Sequence, residues 1–198
     1  MRPVHALVIA GMAAWMSVPL TADGRPDRVV TVRLYQTADP SSTIDPRALA
    51  EAERMLRPAL VTVVWRPCSG ANRSAACDRP ADRSELSVRI VRHGTAHPGV
   101  TTVLGNAFVA PGRGGVLATV YVDEVQDLAK VAGIDPAVLL GRATAHEIGH
   151  LLMRSSAHAR YGLMRDTWTE QEVHRNQPLD WMFTAGDVVA MQRFWPRS

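Results

Sequence analysis

The chain has 198 residues, 46% of them hydrophobic and 21% charged, with a formal net charge of +3. That length suits one packed domain and is short for two, and the balance is that of a globular rather than a disordered protein. Lys130 is the sole lysine and the arginines are spread along the chain. No stretch combines the basic and aromatic residues of a nucleic-acid surface, so nucleic acid is not expected as a partner.

Arg2 and His5 lead into an apolar run from Ala6 to Val18, followed by Thr21-Ala22-Asp23. About 13 apolar residues suit a signal-peptide core and fall short of a membrane span. Residues 1–22 therefore read as a signal peptide and 23–198 as the mature domain, with an uncleaved anchor as the alternative. Val29 to Gln36 is rich in β-branched residues that partly alternate, the pattern of a first strand. Asp45-Pro46 opens a helix that runs to Leu56, with Asp as N-cap and Pro at the first helical position. Leu60 to Trp65 is apolar nearly throughout, which predicts a second strand placed centrally in a sheet.

Cys68 and Cys77 bracket a Ser, Gly, Asn and Ala-rich loop and would close it as a disulfide in an oxidising compartment. Two free thiols would instead indicate the cytoplasm. The signal-like N-terminus favours the disulfide and a secreted or periplasmic location. Leu86 to Val91 alternates as a third strand, and His93 and His97 follow in a loop. Asn106 to Ala110 and Val116 to Val122 are two further strands, joined through Pro111-Gly112-Arg113-Gly114-Gly115. Glu124 to Ala132 predicts a short helix. Asp135-Pro136 repeats the helix start and opens about five turns reaching Arg154. Thr184 with Asp187 three positions on resembles a capping box for a last helix ending near Phe194. The fold class is α+β: a mixed twisted sheet with one long helix and a C-terminal helix.

The long helix carries His146-Glu147-Ile148-Gly149-His150. Histidines four residues apart share a helix face, so both imidazoles can reach one cation. The glutamate between them points partly aside, where it can act on a metal-bound water instead of the metal. From composition alone such a match arises by chance in roughly one chain in a hundred. A catalytic zinc needs three protein ligands and an open position. His158 comes eight residues after His150, beyond the small Ser155-Ser156-Ala157 turn, and Gly162-Leu163-Met164 follows it.

In His146, Glu147, His150, His158 and Met164 the chain resembles the metzincin zinc metallopeptidases, and among them the matrixin-like branch. Their pattern is H-E-x-x-H-x-x-G-x-x-H followed by a methionine turn. The spacing departs from it: the pattern would put the third ligand at Ser156 and the glycine at Met153. The resemblance implies a single metzincin-like catalytic domain over 23–198, with Zn2+ on His146, His150 and His158. It implies Glu147 as general base and Met164 as a floor residue that binds nothing. A gluzincin-like arrangement is the competing reading, its third ligand drawn from Glu170 or Glu172, with Asp166 nearby and His174 as a weaker candidate.

The expected activity is that of a secreted zinc metalloendopeptidase, hydrolysing peptide bonds through a zinc-bound water and Glu147. The resemblance also implies an edge strand, placed at Val116 to Val122, that pairs with the substrate backbone. Peptide or protein is the expected partner, with no stable membrane insertion after signal cleavage, and the chain is expected to be monomeric. Two other functions stay open: a zinc hydrolase of a non-protein amide, and a non-catalytic secreted binding protein of the same fold. Tyr161 is a possible oxyanion donor or a packing residue. Trp168, Trp181 and Trp195 are candidate core or pocket walls.

Overall fold

The structure, a computed structural model, describes residues 28–37, 44–82, 84–92, 103–110 and 114–194. The segment 1–22 read as a signal peptide, His93, His97, the 111–113 loop and Trp195 lie outside the described residues.

Five strands form one sheet: β1 (Arg28–Gln36), β2 (Val61–Pro67), β3 (Glu85–Val91), β4 (Gly105–Ala110) and β5 (Gly114–Tyr121). Their spatial order is β2-β1-β3-β5-β4, parallel except for β4, which runs antiparallel to β5. The sheet is mixed and the class is α+β, as the order of elements predicts. Val30, Val32, Leu34, Val61, Val63, Leu86, Val88, Ile90, Ala118 and Val120 are buried and form the core side of the sheet. Period-two alternation selects them, since neighbours on a strand point to opposite faces.

Two strand placements differ from the sequence expectation. β2 is an edge strand and not a central one. Its apolar run hides an alternation: Val61 and Val63 are buried, while Val64 is 46% exposed. β-branched residues suit an extended strand even where they face out. β5 is interior, and among the described residues the edge on that side is β4. Val122 leaves the strand and opens α2 (Val122–Ala132). Asp123 and Glu124 stand in its first turn, where negative charge favours a helix N-terminus.

α1 (Pro46–Leu56) and α3 (Pro136–Met153) start alike. Asp45 and Asp135 each accept from the backbone N–H two residues on, at 2.9 Å, and Pro occupies the first helical position in both. α3 packs against α1, α2, β4, β5 and the last helix, and nearly every one of its residues is buried. It ends where Arg154 adopts a left-handed conformation. α4 (Glu170–Arg175) begins with a capping box between Thr169 and Glu172. α5 (Ala185–Phe194) begins with the predicted exchange: Thr184 N donates to Asp187 at 2.8 Å and Asp187 N to Thr184 Oγ1 at 3.2 Å. Among the described residues no helix is long and apolar enough to cross a membrane.

A Cys68–Cys77 disulfide closes the loop after β2. Arg33, on the sheet face away from the apolar core, ties the following segment down by donating to the carbonyls of Arg79 (2.7 Å) and Pro80 (3.2 Å). Its charge is met by Glu85 at 2.6 Å. Replacing both cysteines by serine is expected to cost about 2–3 kcal/mol, because the crosslink restricts a short loop of the unfolded chain. Denaturant unfolding of the double variant measures it, and an unchanged midpoint would contradict it.

Candidate metal centre

The helical repeat of α3 sets His146 and His150 side by side, with ring centroids 4.7 Å apart. After Arg154 the chain turns sharply and brings His158 back to them. Two backbone hydrogen bonds hold this return: Ala159 N donates to Met164 O at 2.8 Å, as part of a parallel bridge between Ala159 and Arg165, and Leu163 N donates to Met182 O at 2.8 Å. Arg165 fastens the turn from below, its Nη1 donating to Gly162 O at 3.2 Å and to Asp180 O at 2.8 Å. The longer spacing to His158 is thus absorbed in a closed loop, with no glycine at Met153 required.

The three imidazoles converge through Nε2. His150 Nε2 lies 3.0 Å from that of His146 and 3.2 Å from that of His158. The opposite nitrogens are each occupied. His146 Nδ1 meets Leu163 O at 2.8 Å, and His150 Nδ1 meets Ser155 O at 2.8 Å. Carbonyl oxygens only accept, so both rings carry their proton on Nδ1. His158 Nδ1 faces Asp166 Oδ1 at 3.3 Å, where the carboxylate can accept from that nitrogen and orient the ring. The Nε2 lone pairs of His146 and His150 then point toward one another and toward His158 Nε2, an arrangement that a shared cation satisfies. A tetrahedral zinc with Zn–N of roughly 2.0–2.1 Å holds its nitrogens about 3.3–3.4 Å apart, so the histidines fit that ion.

Electrostatics agree. Burial, with the neighbouring His150 second, pushes the His146 imidazole down to about 3. Burial also lowers His150, against the bond to Ser155 O. Both rings are therefore neutral at pH 7 and free to donate a lone pair.

Glu147 is 5% exposed and stands apart from the histidine cluster. Its Oε2 is buried with no hydrogen-bond partner, and burial pushes the carboxyl up to about 8. Met164 is fully buried against the other side of α3: a Cβ at Gly149 would stand 2.7 Å from its sulfur. That close approach requires glycine in the motif's fourth position.

The cleft over these groups has a volume of about 420 Å³. Residues 103–107, at the start of β4, form one wall, and Ser156, His158 and Arg165 to Trp168 form the other. Trp168 stands edge-on to His146 at 5.6 Å and to Trp181 at 5.1 Å, so it is a pocket wall, while Trp181 is core. The guanidinium of Arg142 lies 4.1 Å over the Trp181 ring, while its nitrogens reach Glu51 and Asn176.

The other candidates are placed elsewhere. Glu170 is exposed, Glu172 caps α4, and His174 Nδ1 meets Ala132 O at 3.0 Å. Tyr161 is 71% exposed and does not line the cleft. Asp166 reaches the site behind His158, as an outer partner of that ring. Gly105 and Asn106 line the cleft, and sequence reasoning missed both. Their part depends on which strand closes the sheet, and no local signal carries that.

No protein-family model matches the chain, and no curated protein sequence matches it. Solved structures do. Archaemetzincin from Methanopyrus kandleri aligns with a TM-score of 0.54 at 18% identity, over 87% of this chain and 98% of that one. A zinc-dependent peptidase from Methanocorpusculum labreanum gives 0.53 at 16% identity, over 81% and 99%. Metalloproteinase-II from Bacteroides fragilis gives 0.50 at 16% identity, over 86% of this chain and 54% of that protein. At these identities the likeness establishes a common fold, that of archaemetzincin.

Proposed function

We propose that the protein is a zinc-dependent endopeptidase of matrixin-like metzincin type, with His146, His150 and His158 as ligands and Glu147 as general base. The observation that carries this reading is the convergence of three Nε2 atoms, with the Nδ1 protons of His146 and His150 fixed on backbone carbonyls. The common fold with proteins described as a zinc-dependent peptidase and a metalloproteinase supports it.

When bound there, zinc supplies a Lewis acid that polarises a carbonyl and lowers the pKa of water. The chain's own residues do the rest. With a zinc ion held by the three histidines, its charge would favour the ionised form of the Glu147 carboxyl against the effect of burial. Glu147 then takes the proton of the attacking water and passes it to the leaving amine. β4, the free edge, is the strand suited to pair with an extended peptide, in place of the Val116–Val122 segment of the sequence reading. An exported location belongs to the same proposal, and the Cys68–Cys77 disulfide supports it.

The test is metal analysis together with hydrolysis of casein and of purified peptidoglycan. One zinc per chain is expected, with casein cleavage lost to a chelator and restored by zinc. Failure to bind zinc would end the proposal. Cleavage of peptidoglycan alone would move the substrate to a non-protein amide.

A further inference from the structure

The geometry points to Gly105 as a positioning residue for Glu147: the missing side chain on the edge strand makes the space in which the general base is held. The inference rests on the peptidase reading and adds a residue to it.

Gly105 opens β4 and pairs with Val120 of β5. It stands on the cleft wall directly against Glu147. A Cβ built on it would lie 2.7 Å from Glu147 Oε1, 2.9 Å from Glu147 Cγ and 2.7 Å from the carbonyl oxygen of Thr119. All three are closer than a carbon tolerates. Because Cγ is in the way as well as the carboxylate, a small rotation of the carboxylate does not relieve the clash. Glu147 would have to take a different rotamer. It has little freedom to do so, being buried on a helix packed on several sides. The carboxylate also has no hydrogen bond at Oε2 to define its place. Steric fit beneath β4 is therefore what holds it. A proton-transfer group displaced by an ångström loses much of its effect.

The Thr119 carbonyl offers a second way for the clash to resolve. Among the described residues β4 has a neighbour on one side only, so it can shift outward. The two responses differ in readout: displacement of Glu147 lowers kcat, whereas displacement of the strand raises KM and disturbs the cleft wall.

The experiment compares Gly105→Ala, Glu147→Ala and the double variant in the zinc-loaded chain. Peptide hydrolysis is measured alongside zinc affinity by chelator competition. Gly105→Ala is expected to lower kcat at least about tenfold, part of the 10²–10⁴ that a general base contributes. KM and zinc affinity are expected to stay within about twofold. The double variant should lose no more activity than Glu147→Ala alone, since the contact is gone. Unchanged kcat, a loss confined to KM, or losses that multiply would each overturn the inference. If Gly105→Ala does not fold, the double variant decides. Recovery of folding and zinc binding identifies Glu147 as the group in conflict, and continued failure assigns the clash to Thr119 and overturns the inference. Activity surviving in Glu147→Ala would instead defeat the peptidase mechanism itself.

Discussion

Glu147→Ala is expected to retain close to one zinc per chain and to lose at least about a hundredfold in kcat. Glu147 lies outside the histidine cluster, so its removal leaves the three Nε2 donors and their outer partners in place. What is lost is the group that accepts the water proton, worth typically 10²–10⁴ in rate. Glu147→Gln sharpens the result, because it keeps the shape beneath β4 and removes only the basicity. Its melting temperature should be no lower than that of the parent chain. A buried carboxyl with an unpaired oxygen is a cost to the fold, and an uncharged amide reduces that cost. Metal analysis, steady-state kinetics and thermal unfolding of both variants provide the check. Full activity in either would remove Glu147 from the mechanism, and loss of zinc would make it a structural residue.

His158→Ala is expected to weaken zinc binding by about a hundredfold or more. Structural zinc sites with four ligands bind with roughly 10–16 kcal/mol, so one lost donor costs on the order of 3 kcal/mol. The effect is large because two histidines of one helix leave the cation open on the side that His158 closes. Asp166→Asn should cost about tenfold, since the amide orients the Nδ1 proton less firmly and carries no charge. Glu170→Ala and Glu172→Ala should leave zinc affinity within about twofold. Glu172→Ala should still lower stability by about 1 kcal/mol through the lost capping box. Chelator titration of the four variants separates these cases. Zinc lost from a glutamate variant and kept in His158→Ala would replace the ligand set with an acidic one.

Where local chemistry carries the information, the sequence was legible. Asp-Pro pairs mark the starts of α1 and α3 because a carboxylate cap and a fixed φ act within two residues. Thr184 and Asp187 mark α5 for the same reason, and alternation marks β1 and β3. The four-residue spacing of His146 and His150 follows from helical geometry alone, as does the aside position of Glu147. The pairing of Cys68 with Cys77 is local as well.

Only the tertiary structure decided which strands close the sheet. β2 reads as central because the outward Val64 hides the alternation, and β5 reads as an edge because nothing local reports its partner β4. That order depends on hydrogen bonds between segments distant in sequence, which periodicity within a segment does not record. The sequence pointed to Val116–Val122 as the substrate-pairing edge, whereas the strand that lines the cleft is β4, through Gly105 and Asn106. The return of His158 past an irregular spacing is of the same kind. It depends on Ala159 meeting Met164, Leu163 meeting Met182, and Asp166 standing behind the ring. The two helical histidines could be read from one helix, while the third side of the site and the seat of Glu147 exist only once the chain has closed on itself.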